Sequence, residues 1–232
     1  MKRKLSVLLL LFTFTATNVQ ASVINSIISG FFSKPAFNET TPSVHIYSDT
    51  VDHWCNYAAT RLYDEGVFKG IQIGEKSYFM PDESITRGEF LLYLNAILKA
   101  DVKEYVPLPF EDASSIPAWQ LPTVCTMYTL GIVKGNIEKN KLYFNYDEKI
   151  SRLECAIILN NVLSIGKSES KTDYYDSYLI PQYASDAVKN VTDYGLMKGY
   201  DDGSFRPYIK ITRGMLADIL CNVKDYTESK NK

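Results

Sequence analysis

One tripeptide returns three times in this chain: Ile85-Thr86-Arg87, Ile150-Ser151-Arg152 and Ile211-Thr212-Arg213. Each copy trails a glycine pair four residues apart, Gly66/Gly70, Gly131/Gly135 and Gly195/Gly199. The first glycines are separated by 65 and then 64 residues, and Asp49, Asp112 and Asp176 keep step by 63 and 64. A period of this length excludes a single irregular domain and requires stacked supersecondary units. One unit has too little apolar material to hold a core by itself, so three must share one.

Each unit reads as helix, loop, helix, which makes the fold class mainly α. The first helix is expected over residues 54–65, 119–130 and 182–194. In the third copy, Ala184, Ala187, Val188, Val191 and Tyr194 form one apolar face at helical spacing. Pro122 requires a kink or a later start in the second copy. Gly66, Gly131 and Gly195 then take the left-handed position that ends a helix. The second helix opens at the tripeptide. Thr86 with Glu89, and Ser151 with Glu154, form capping boxes, whereas Thr212 keeps the cap and meets Met215 in place of the acid. The loop between the helices carries Phe79, Phe144 or Phe205, followed two residues later by Pro81, Tyr146 or Pro207. Pseudo-threefold stacking that buries the three first helices together is the expected solution.

Arg87, Arg152 and Arg213 each follow a helix N-cap. Exposed backbone N–H groups, the helix dipole and a planar guanidinium all favour an anion there. Lys69, Lys134 and Lys198 precede Gly70, Gly135 and Gly199 in their loops and would complete such a pocket, next to Thr86, Ser151 and Thr212. A second reading stands beside it: each arginine pairs with Asp49, Asp112 or Asp176 and ties loop to helix.

The ends and the composition set the setting. Lys2, Arg3 and Lys4, the apolar run 5–14 and Val19-Gln20-Ala21 read as a signal peptide over 1–21. No later stretch has the length and apolarity of a membrane span. Residues 22–45 form an N-terminal segment whose clustered isoleucine and phenylalanine read first as packing onto the repeats and second as a contact for other surface proteins, and 225–232 form a polar tail. A net charge of −2 gives no support for nucleic-acid binding. Seventeen tyrosines and two tryptophans suit either packing or a sugar-binding surface. Cys55, Cys125, Cys155 and Cys221 occupy different positions in their repeats and include no C-x-x-C pair. A Cys125–Cys155 bridge and buried free thiols both remain open. His45 and His53 stand outside any hydrolase or zinc motif, so no catalytic residue, metal or cofactor is expected.

The pattern resembles the S-layer homology family. Tyr47-Ser48-Asp49, Phe110-Glu111-Asp112 and Tyr174-Tyr175-Asp176 match its aromatic-x-Asp opening. The glycine turns, the Phe-x-Pro elements and the Ile-Thr-Arg phrases match the rest, over residues 46–101, 110–165 and 174–224. The resemblance implies a three-pronged helical spindle that is secreted and held at the bacterial cell wall. It implies a non-catalytic role, binding a pyruvylated secondary cell-wall polysaccharide, with Arg87, Arg152 and Arg213 reading the pyruvyl carboxylate. A structural surface-layer or partner-binding protein and a wall-modifying enzyme are the alternatives. Gly88, Leu153 and Gly214 replace the family's alanine, Leu153 crowding the second groove, and Met215 removes an acid. Unequal grooves follow, the first nearest the family pattern.

Overall fold

The second helix of each unit starts where its cap dictates. Thr86 Oγ1 accepts the Glu89 N–H at 3.1 Å, and Glu89 accepts the Thr86 N–H at 2.7 Å. Ser151 and Glu154 make the same reciprocal pair, and Thr212 accepts from Met215 at 3.3 Å. Each cap is worth ~1 kcal/mol. The computed structural model describes residues 47–100, 106–163 and 173–230. The expected signal peptide and N-terminal segment lie outside these, as do short parts of the linkers and the last two residues.

The elements in order are α1 (Asn56–Asp64), β1 (Ile71–Ile73), β2 (Lys76–Tyr78), α2 (Arg87–Leu98), α3 (Leu121–Thr129), β3 (Asn136–Glu138), β4 (Lys141–Tyr143), α4 (Arg152–Leu163), α5 (Gln182–Asp193) and α6 (Arg213–Ser229). The protein is mainly α. Helix α3 starts late, with Pro122 in its first turn, where a missing N–H costs nothing. Gly66, Gly131 and Gly195 stand just past their helices at φ 73°, 68° and 71°. Two short antiparallel hairpins, β1–β2 and β3–β4, fill the first two loops. In the third, Asp202 accepts the Ser204 N–H at 3.0 Å and closes a turn instead.

The helices pair across repeats. Helix α3 packs on α2, α5 on α4, and α1 on α6. The expected burial of the first helices against one another is therefore corrected: each one's main helical partner is the second helix of the preceding repeat, with the third repeat preceding the first. An amphipathic helix offers one apolar stripe, and here that stripe meets a neighbour's helix.

Short backbone links close the same circuit. The N–H of Ile85 donates to the Ile211 carbonyl at 3.0 Å, Ile211 to Ile150 at 2.9 Å, and Ile150 to Ile85 at 3.2 Å. The three isoleucines that open the repeated tripeptide thus form a closed ring of hydrogen bonds, all three buried. A continuous core joins the repeats through Phe79, Phe144, Phe205, Leu94, Leu159 and Leu220. Ion pairs from Arg61 to Asp225 at 2.6 Å and Lys224 to Glu65 at 2.6 Å fasten α6 to α1 at the rim.

Candidate functional site

The loop aromatic and the aspartate of each repeat build the seat for an arginine. Asp49 accepts the N–H groups of Phe79 and Met80 at 2.8 and 2.7 Å. Asp112 does the same for Phe144 and Asn145, and Asp176 for Phe205 and Arg206. Met80, Asn145 and Arg206 sit at φ 59°, 60° and 54°, a left-handed conformation costly for residues with a Cβ. A carboxylate chelating two consecutive N–H groups holds that turn. The expected pairing of these aspartates with the arginines is not what forms; the aspartates hold backbone.

The arginines come from the preceding repeat. Arg152 Nε donates to the Phe205 carbonyl at 2.8 Å and Nη2 to the Lys198 carbonyl at 2.6 Å. Arg213 Nε donates to the Phe79 carbonyl at 2.7 Å. Their guanidinium carbons lie 4.6 Å from the Phe205 ring centre and 5.1 Å from that of Phe79, within cation–π range. Arg87 breaks the series. Its Nη1 donates to Glu154 Oε1 at 3.0 Å, and its Nε is buried without a partner.

These differences grade the three junctions. Arg87 and Arg152 are only 6% and 5% exposed, whereas Arg213 is partly exposed. Burial pushes the pKa of Arg87 and Arg152 down, against the opposing pull of Glu154 on Arg87 and of Tyr200 on Arg152. Glu154 is itself held low: burial works to raise it, but hydrogen bonds from Ser151 and the charge of Arg87 prevail. Met215 occupies in the third repeat the position of Glu154, so its consequence falls on Arg152, which makes no ion pair among the described residues.

The helix starts are not open. The N–H of Arg87 donates to the Glu148 carbonyl at 2.8 Å and that of Gly88 to Tyr146 at 3.0 Å. Arg152 and Leu153 donate to Ile209 and Pro207, and Arg213 and Gly214 to Glu83 and Pro81. The expectation of exposed N–H groups awaiting an anion is thereby corrected: the following repeat supplies the acceptors. Any anion must be read by guanidinium and side chains.

The remaining predicted residues fall in two places. Thr86, Ser151 and Thr212 cap their helices. Lys69, Lys134 and Lys198 are exposed on their loops, and Lys134 lines a cavity of about 540 Å³ with Tyr128, Val133 and Leu142. Gly70, Gly135 and Gly199 do not face open space. A Cβ at each would collide with the opening aromatic of its own repeat, Tyr47, Phe110 or Tyr174. Their role in the structure is to let that ring lie on the loop. Leu153 is buried in the core rather than standing in a groove. Gly88 leaves room for the Tyr146 ring, so two departures from the family pattern compensate each other.

Cross-repeat partners such as Glu154 escaped sequence reasoning, because spacing within a repeat says nothing about which repeat receives the side chain. The four cysteines are buried free thiols. Burial pushes the Cys55 and Cys221 thiols up to about 11. Among the described residues there is no cluster of metal-ligating side chains, and no helix is long and apolar enough to cross a membrane.

This is a tandem-repeat, mainly α module whose copies exchange arginines and helix partners. The chain belongs to the S-layer homology family, whose domain model matches residues 46–91, 109–154 and 173–214. It is similar to an endoglucanase of Bacillus sp. (strain KSM-635), 30% identical over 79% of this chain and 19% of that enzyme. It is also similar to cell surface glycoprotein 1 of Acetivibrio thermocellus, 35% identical over 33% of this chain and 3% of that protein. The chain thus spans about a fifth of the first of these relatives and far less of the second.

Proposed function

We propose that this protein is a non-catalytic anchor that binds an anionic, pyruvylated secondary cell-wall polysaccharide and so holds to the bacterial cell surface. In this reading it is secreted, and its three repeats stand about a pseudo-threefold axis as a three-pronged spindle. The observation that carries the reading is the threefold family match, each copy placing an arginine at a junction between repeats. The closed isoleucine ring and the cyclic pairing of helices support the axis. A cation held by aromatic rings and carbonyls is suited to a carboxylate, which a neutral glucan lacks. Similarity to a cell surface glycoprotein agrees with a surface location. The similarity to the endoglucanase covers too little of that enzyme to bring its activity with it.

Sedimentation with purified walls tests the reading. The protein is expected to pellet with intact walls and to remain in solution once the secondary polymer has been stripped. Equal pelleting with stripped peptidoglycan would refute it.

A further inference from the structure

The three junctions are built from the same parts, yet only one leaves its arginine open. At the first, Glu154 is an internal anion. Its Oε2 accepts from Ser151, which fixes it, and its Oε1 takes the Nη1 of Arg87 at 3.0 Å. At the second, Arg152 is 5% exposed, bonded to two carbonyls and flanked by the rings of Tyr200 and Phe205. At the third, Arg213 is partly exposed and only its Nε is engaged. Its two terminal nitrogens make no hydrogen bond or ion pair among the described residues. Glu89, the counterpart of Glu154, serves the Thr86 N–H and makes no ion pair with Arg213.

An exposed tryptophan lies beside the helix start that carries this arginine. Trp54 is 62% exposed. A Cβ on Gly214, the residue after Arg213, would stand 3.3 Å from Trp54 Cζ2, so the indole lies against the helix start that carries the arginine. The ring of His53 is tilted toward the indole at 5.3 Å and pairs with Asp82 at 3.5 Å. Lys69, exposed, follows Phe68, whose ring lies 5.3 Å from the Arg213 guanidinium. Of the nearby acids, Asp49 is engaged with two backbone N–H groups, and Asp82 and Glu83 are exposed.

We propose that the acidic sugar is taken at one junction only, where the third repeat meets the first, with Arg213 reading the carboxylate and Trp54 carrying the sugar ring. The inference rests on the polymer-binding reading and specifies it. A guanidinium with two terminal nitrogens free presents parallel donors to a carboxylate. An exposed indole offers a flat apolar face to the C–H groups of a pyranose. A side chain at Gly214 would crowd the Pro81 carbonyl, the Cys55 sulfur and the indole, which its Cβ would meet at 3.2–3.3 Å.

The probe is the methyl glycoside of an N-acetylhexosamine carrying a 4,6-pyruvyl ketal, with the unketalised glycoside as the neutral control. Titration calorimetry on the full chain is expected to give one site, with the control at least tenfold weaker. In Trp119→Phe, which leaves Trp54 as the single tryptophan, binding is expected to change the indole emission. Arg213→Lys keeps the charge and loses the fork, and is expected to weaken binding at least tenfold while circular dichroism shows the variant folded. Two or three equivalent sites overturn the assignment while polymer binding stands. So does a single site lost in Arg152→Lys but kept in Arg213→Lys, or binding that leaves Trp54 emission unmoved. Absence of any binding to the wild-type chain defeats both this inference and the reading beneath it.

Discussion

Replacing Arg152 by alanine tests whether a repeated arginine is first a structural tie. The side chain is 5% exposed and donates to the Phe205 and Lys198 carbonyls at 2.8 and 2.6 Å. Hydrogen bonds from a charged donor contribute about 1.5–3 kcal/mol each, so two give roughly 3–6. The flanking rings add about 1 kcal/mol. Against this stands the cost of burying a cation without an ion-pair partner, visible in the downward push of burial on its pKa. A net loss of about 3–4 kcal/mol is expected, a large part of the ~5–15 kcal/mol that holds a typical domain. Urea unfolding followed by far-ultraviolet circular dichroism measures it. Arg152→Met, which restores bulk without the donors, should lose about 2 kcal/mol, since the two carbonyls stay unpaired. A loss under about 1 kcal/mol in the alanine variant, at unchanged m-value, would refute the structural role and leave the arginine as a ligand contact alone.

Gly88→Ala should cost about 1–3 kcal/mol by overpacking, because its Cβ would enter the space of the Tyr146 ring; adding Tyr146→Ala should recover part of that loss, and strictly additive losses in a double-mutant cycle would sink the compensation. Glu154→Gln should remove an acid-sensitive contribution to stability. The folded carboxyl sits below its ordinary value of 4.5, so that contribution is present above about pH 4.5 and is lost as pH falls through the lower folded value. The stability gap between wild type and variant should therefore narrow on acidification, and a gap constant with pH would contradict the assignment.

Much of the local structure was legible in the residues. Caps at Thr86, Ser151 and Thr212, the helix-ending glycines and the late start forced by Pro122 all follow from interactions within a few residues. Such signals are local, and the repeat presented the caps and the glycines three times over. The hairpins β1–β2 and β3–β4 were read only as loop, since three-residue strands carry almost no periodicity. The candidate site was legible in its residue types and not in its wiring. Arg87, Arg152 and Arg213 were singled out, yet their partners lie 46 to 134 residues away in sequence.

The sequence by itself determined that there are three units, where their helices start and stop, and which cation repeats. The tertiary structure decided that each arginine reaches into the next repeat. It also decided that the aspartates hold backbone, that the helix starts are already satisfied, and that the acid missing at Met215 is missed by Arg152. The physical reason is the same in each case. A cap or a turn is closed by groups a few residues apart, whereas a buried guanidinium takes its acceptors from whichever element packing brings beside it. Packing here joins the second helix of one repeat to the first helix of the following one. Three nearly identical phrases therefore end in three different environments, and Arg213, with Trp54 beside it, is the one left open.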